Sequence, residues 1–327
     1  MIVLDVLKLL VSIAAAFLVG RLVAKLHLPS ILGWLITGMA LGPHAFGFIS
    51  QSILDARWFN IAIHILECTF GLMIGTELIW KTMKQAGKQI IVTTITESLG
   101  TFVVVSLVFG AIFYFSGVPV YLAFLFGGIA LATAPAPSLS IVNDMKTAGP
   151  VTNTLIPMAA LDDLVGAAVF FTVIALVSAG ISTQEISVFA MLFYVFLPVF
   201  LGIITGFITG KLLRLVRGKK ASVAVMAAML LLSWAIGMYL NESVLPMPVI
   251  NFMLIGMSFS AVFANMIPEE QLSDIMDVMN PVIGLALIVA ILNLGAPLDY
   301  HLIFGAGIYT AVYIVSRAIG KYSGAYI

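Results

Sequence analysis

Apolar residues run along the chain in stretches of about 20, parted by short polar segments, with none of the period-two alternation that marks half-buried strands. Stretches of that length can cross a bilayer as helices. Inside a bilayer the backbone must satisfy its own hydrogen bonds, which a helix does within one segment. The pattern predicts an all-α polytopic membrane bundle of about eleven spans, near 2–25, 30–49, 57–80, 88–115, 120–142, 151–179, 186–212, 222–240, 246–266, 278–296 and 300–325. The first span is too long for a signal peptide and lacks a small-residue cleavage site, so it reads as a mature span.

Basic residues orient the bundle. Arg21 and Lys25 follow the first span, Lys81, Lys84 and Lys88 the third, and Lys146 the fifth; Lys211, Arg214, Arg217, Lys219 and Lys220 surround the exit from the seventh. The alternate loops offer only Arg57. Lysine and arginine concentrate on the cytoplasmic side, which places the N-terminus outside a cell membrane. One segment dissents: "PEEQLSDIMD", after the ninth span, is acidic although its loop is expected to be cytoplasmic. Acidic residues weigh little in this rule, so the orientation is kept.

Composition agrees with a lipid environment. Hydrophobic residues make up 62% of the chain and charged residues 9%, against about 25% charged in soluble domains. Mean hydropathy is +1.17. A formal net charge of zero gives nucleic-acid binding no electrostatic basis. The single cysteine, Cys68, excludes an internal disulfide and a thiolate metal cluster. His27, His44 and His301 fall at expected loops, and nothing groups them into a metal site.

The chain also repeats itself. "LHLPSILGWLITGMALG" (26–42) aligns with "SVLPMPVINFMLIGMSFS" (243–260), and "LMIGTEL" (72–78) with "LNLGAPL" (292–298) at an offset of about 220. Carried forward, the offset sets "TESLG" (96–100) over "SRAIG" (316–320). The chain then reads as one domain over 1–327, with a first repeat over 1–180, a linker helix over 186–213 and an incomplete second repeat over 222–327. An odd number of connecting spans inverts the second repeat. Inverted repeats mark secondary transporters, whose substrate site lies at the midplane between broken helices.

Two features fall where such a site is expected. In "TAPAP" (133–137), Pro135 and Pro137 each remove a backbone donor and disfavour helix at the preceding residue. An unwound stretch at Thr133, Ala134, Pro135 and Pro137 would offer carbonyls and the Thr133 hydroxyl to a hard cation; the alternative is a simple proline kink. In "GPVTNTLIPMAALDDLVG", Asp162 and Asp163 sit about a dozen residues into an apolar helix. A charge at that depth costs at least about 2.5–3.5 kcal/mol and needs a partner, water or a proton. Successive helical residues point about 100° apart, so the two acids face different neighbours. A carboxylate so placed can hold a proton or a small monovalent cation, but not both.

Together, "ATAPAPSLSIVNDMKTAGPVTNTLIPMAALDDLVG" resembles the heart of the monovalent cation:proton antiporter superfamily, in its Kef-type and bacterial sodium/proton exchanger branch. "LPSILGWLITGMALGP" and "SRAIGKYSGA" are similar to its second and late core helices, so the resemblance spans nearly the whole chain. It implies a sodium/proton antiporter-like fold with a discontinuous crossing helix. It implies Asp163 as the carrier of cation and proton, with Asp162 beside it and Thr133 contributing. The metal these aspartates would hold is the transported Na+ or K+ alone, and no cofactor is expected. Ala134 and Pro137 depart from the family's usual Ser and Ala. The resemblance further implies a base near the late core helix that pairs with an acid. Arg317 is expected to pair with Glu97, which the repeat sets opposite it. Lys321 is either a further supporting charge or a base snorkelling to the interface. Glu67, three residues after His64, reads as interfacial rather than as lining an access route, and Glu77 as lying at the cytoplasmic rim.

The expected mechanism is alternating access in a homodimer, with the aspartate and broken helices moving against a scaffold that includes the first, second, eighth and ninth spans. The chain is therefore expected to be a transporter and not an enzyme. An intramembrane aspartyl protease needs two carboxyls face to face, which neighbouring residues of one helix cannot supply. A sodium-coupled symporter with crossed helices and a nontransporting fragment remain as alternatives. By the repeat offset, two further spans are expected beyond Ile327, one of them broken like the stretch at Thr133.

Overall fold

The apolar stretches fold as helices because no other structure pairs their backbone groups internally. The computed structural model describes residues 2–131, 142, 145–149, 152, 154–155, 158, 161–162, 165–166, 169–170, 172–174, 176–177, 188–245, 250–301 and 307–326, and helix is the only regular secondary structure among them. The elements are α1 (Ile2–Lys25), α2 (Ser30–Leu41), α3 (Gln51–Leu54), α4 (Arg57–Glu77), α5 (Trp80–Ser116), α6 (Tyr121–Leu131), α7 (Val188–Leu215), α8 (Lys219–Tyr239) with a π-helical turn at Leu240–Val244, α9 (Phe252–Ala264), α10 (Glu269–Gly295) and α11 (Gly307–Tyr326). The described residues between 152 and 177, Asp162 among them, are helical.

Six of these helices are long and apolar enough to cross a membrane, while α2, α6 and α9 are shorter apolar helices. Several boundaries differ from the sequence reading: α2 ends at Leu41 rather than near 49, and two helices begin earlier than expected. The 37-residue α5 begins at Trp80, so Lys81, Lys84 and Lys88 lie on a helix rather than in a loop. Lysine, glutamine and methionine are good helix formers. A helix of that length, about 55 Å, outreaches a hydrocarbon core of about 30 Å. Likewise α10 starts at Glu269 and takes in the acidic segment, with Glu269 and Glu270 in its first turn, where acids suit the helix dipole.

The chain divides into two compact units, one of Met1–Glu77, Ala136–Ala148 and Val199–Gly305, the other of Leu78–Pro135, Gly149–Pro198 and Ala306–Ile327. In the first unit α4 packs on α9, and α2 packs on α1 and α10. Glycine makes these crossings close. A methyl group on Gly71 would lie 2.8 Å from the Met257 nitrogen, and one on Gly75 2.8 Å from that of Ala261. One on Gly295 would lie 3.2 Å from Cα of Gly38. Gly75 and Gly295 stand apart by the offset read from the sequence (295 − 75 = 220), and each lies at a crossing of this kind.

Charges of the first unit gather at the ends of its helices. Arg57 meets Glu242 at 2.9 Å at one end. At the other end of α8, Lys219 bridges Asp274 at 3.3 Å and Asp277 at 3.1 Å. Beside it, Gln271 donates to the Leu213 carbonyl and the Ser222 hydroxyl, both at 2.9 Å. The acidic segment that dissented from the charge rule therefore lies at the same end as Lys219 and pairs with it. Between α10 and α11, the Asp299 carboxyl accepts the His301 backbone N–H at 2.8 Å, which with the neighbouring His301 and His44 rings holds it below the usual carboxylate range.

In the second unit α5 packs on both α6 and α11. Its core is Val105, Phe109, Phe113, Ala123 and Ala130, where the Phe109 and Phe126 rings stack with centroids 4.7 Å apart. Helix α5 stops at Gly117, whose φ of 68° is the left-handed cap that glycine adopts without strain.

The glycine crossings give a direct expectation. Gly71→Leu forces α4 off α9 and should cost more than about 3 kcal/mol, beyond ordinary overpacking because backbone is what must move. Gly284→Ala meets nothing within 4 Å and should be neutral or stabilising by up to about 1 kcal/mol. Thermal unfolding of the two variants in detergent checks the contrast.

Candidate ion site

The site is built on one face of α5. Thr94, Ser98 and Thr101 are spaced at i, i+4 and i+7 on this helix and are fully buried. Thr94 and Thr101 return their hydroxyls to the carbonyls of Ile90 and Glu97, one turn back on their own helix. Ser98 instead donates its hydroxyl to Asp162 Oδ1, across to another helix.

Helix α11 meets this face through its own small stripe of Ser316, Gly320 and Gly324. A methyl group on Gly320 would lie 2.6 Å from Cα of Thr101, and one on Gly324 2.7 Å from Cα of Glu97. With backbones that close, Lys321 lies between two carboxylates. Its Nζ donates to Glu97 Oε1 at 2.8 Å and to Asp162 Oδ2 at 2.7 Å. The Asp162 side chain is 3% exposed, and those of Lys321 and Glu97 are 17% and 15% exposed. Both oxygens of Asp162 thus face donors, the Ser98 hydroxyl on one and the Lys321 ammonium on the other.

Arg317, one turn before Lys321, turns to α6, where its Nε donates to the Ala130 carbonyl at 3.0 Å. This corrects the expected Glu97–Arg317 pair: the base on Glu97 is Lys321. The reason is register along α11. Gly324 packs directly on Glu97, so the residue three positions earlier points at the carboxylate, while position 317 lies a turn away, beside α6. Nor does Lys321 snorkel to an interface. Asp163, Thr133, Ala134, Pro135 and Pro137 lie outside the described residues. Ser98 was missed in the sequence. Its signal was the Thr94–Ser98–Thr101 stripe, a row of small hydroxyls at helical spacing on a face otherwise fit for lipid.

Among the described residues the cluster carries two carboxylates and one ammonium, a formal charge of −1 when all are ionised.

Removing Lys321 leaves two buried carboxylates facing each other, so Lys321→Met should destabilise the solubilised protein by about 3–5 kcal/mol. Combining it with Glu97→Gln should cost less than the sum of the single changes, by about 0.5–3 kcal/mol, whereas Arg317→Met with Glu97→Gln should be additive. A double-mutant cycle read by thermal unfolding separates the two pairings.

Comparison with known proteins gives the family and the fold. Residues 13–327 match the family model described as sodium/hydrogen exchanger, transmembrane. A solved structure of the sodium proton antiporter MjNhaP1 from Methanocaldococcus jannaschii superposes with a TM-score of 0.70 at 18% identity, over 99% of this chain and 78% of that one, which shows a shared fold. A Methylorubrum extorquens protein known as an uncharacterized protein in the phaC 3' region is 29% identical over 87 residues, 26% of this chain. That match spans about a third of the relative's length, 32%. With a family match running almost from end to end of an all-helical chain of membrane-length helices, this protein belongs to the sodium/hydrogen exchanger transmembrane family.

Proposed function

We propose that this chain carries out secondary active exchange of a monovalent cation, Na+ or K+, for protons. The observation that carries the reading is the buried Asp162, held by Ser98 and Lys321 in a helical unit of exchanger-family sequence. A carboxylate anchored on both oxygens is a fixed neighbour for Asp163, the proposed carrier of cation and proton. Thr133 and the carbonyls freed at Ala134, Pro135 and Pro137 complete the cation's oxygen shell.

The same reading takes exchange to proceed by alternating access in a homodimer in the cell membrane, with the N-terminus outside. Supporting it, Asp162, Glu97, Ser98 and Lys321 all fall in one compact unit, while α1, α2, α8 and α9 fall in the other. The equivalent placing of Gly75 and Gly295 supports the inverted repeat.

Asp163→Asn keeps the side chain's volume but removes its charge and its proton, so it should abolish exchange with normal yield and unfolding temperature. A pH dye trapped in proteoliposomes reads this on addition of Na+ or K+; a wild-type response in the mutant removes Asp163 from the role. Asp162→Asn should slow exchange without abolishing it and change the charge moved per cycle, as read by currents on a solid-supported membrane. Because proton and cation compete for one carboxylate, the apparent cation constant should rise as pH falls from about 8.5 to about 6.5. A constant that stays flat over that range rules out direct competition.

A further inference from the structure

Titratable groups outside the ion site lie mostly at helix ends, with one pair as the exception. His64 and Glu67 lie one turn apart within the apolar part of α4, with His64 Nδ1 and Glu67 Oε2 at 3.1 Å. The ring is stacked on Phe252 of α9, centroids 4.3 Å apart, which fixes its plane. Counting from Arg57, at about 1.5 Å per residue, His64 is about 10 Å and Glu67 about 15 Å along the helix. Arg57 itself is 79% exposed and ion-paired at the helix end.

The pair's surroundings are apolar. Among the helices packed on α4, α9 has no charged residue. Those of α8 and α10 are Lys219, Lys220, Glu269, Glu270, Asp274 and Asp277, gathered at the far end of the unit, and Tyr239 of α8 is exposed. No charged residue lies on α3, and Asp55, just after it, bonds Gln51. Glu242 is taken by Arg57. Yet the side chains are 30% and 38% exposed. An acid and an imidazole left a third open to hydrocarbon are costly, and such groups in spans face water or polar protein and mark proton or ion routes. Among the described residues the Glu67 bond is the ring's only hydrogen bond, so Nε2 remains for water. Imidazole with one nitrogen on a carboxylate and the other on water is the arrangement of a proton shuttle working between about pH 5 and 8.

We propose that His64 and Glu67 form a second proton-binding station, separate from Asp162 and reached by water from the membrane side on which Arg57 lies. Its ligand is the proton, shared between the imidazole and the carboxylate.

Water access is tested first, independently of transport. Cys68 is the sole cysteine and is buried, so Cys68→Ala gives a background for His64→Cys and Glu67→Cys made one at a time. A membrane-impermeant thiosulfonate should label both from the Arg57 side only, at rates within about tenfold of Arg57→Cys. Labelling by a membrane-permeant maleimide alone, or from the opposite side, overturns the proposal.

Protonation is tested with the other three histidines, His27, His44 and His301, replaced by glutamine, leaving His64 as the one imidazole. Its nitrogen-15 resonance in lipid nanodiscs should titrate reversibly between about pH 5 and 8, with a midpoint that moves on Glu67→Gln. A ring fixed in one state across that range, or a midpoint indifferent to Glu67, contradicts it. The role in transport rests on the exchange reading. In exchanging vesicles, His64→Gln should reduce the rate's dependence on pH at the Arg57 side by at least about threefold over the same interval. An unchanged dependence removes the station from the exchange route. Vesicles in which the wild-type chain exchanges nothing count against the exchange reading, while labelling and titration still decide the station.

Discussion

An ionised group inside a membrane must be matched where it stands, and in this protein Lys321 does the matching. One ammonium serves two carboxylates, Glu97 at 2.8 Å and Asp162 at 2.7 Å, each from a different helix. Desolvation makes such a cluster poor as a source of stability but exacting in geometry, because any member that loses its partner remains buried and unmatched. The packing around it follows from that demand. Helices α5 and α11 must approach until backbone nearly touches backbone, which Gly100, Gly320 and Gly324 permit. Ser98 must spend its hydroxyl on Asp162 rather than on its own helix. Arg317, one turn earlier on α11, donates to the Ala130 carbonyl of α6.

The first unit solves the opposite problem. Its crossings, α4 on α9 and α2 on α10, are as close and as glycine-lined, but no charge lies at their centres. Ion pairs are held at the two ends of α8, where water screens them and they contribute little. One unit is knit by glycine with its ion pairs at helix ends, and the other matches charges at its core. The His64–Glu67 pair is the departure from this division, which is why a separate function is assigned to it.

Much of this was legible in the sequence, and the failures have physical causes. The buried acid at Asp162 declared itself, since two adjacent aspartates in an apolar helix have few structural uses. Glu97 was recognised as a partner, but the choice between Arg317 and Lys321 turned on one helical turn of register along α11, which Gly324 on Glu97 decides and no periodicity reveals. The acidic segment at Glu269 looked like an exception to the charge rule because a sequence shows which residues are acidic but not that Lys219 waits beside them. Ser98 escaped notice because serines and threonines in apolar helices usually bond their own backbone, as Thr94 and Thr101 do. The extension of α5 back to Trp80 was missed because hydropathy marks where a helix leaves the lipid, not where it ends.

Exchange fixes the direction in which protons move when a cation crosses. In everted membrane vesicles carrying this chain and acidified inside, Na+ or K+ added outside should drive protons out of the lumen, read as recovery of a quenched acridine dye. The recovery should saturate with cation and be independent of the accompanying anion. Protons moving together with the cation, or a dye signal no different from vesicles lacking the chain, would contradict exchange.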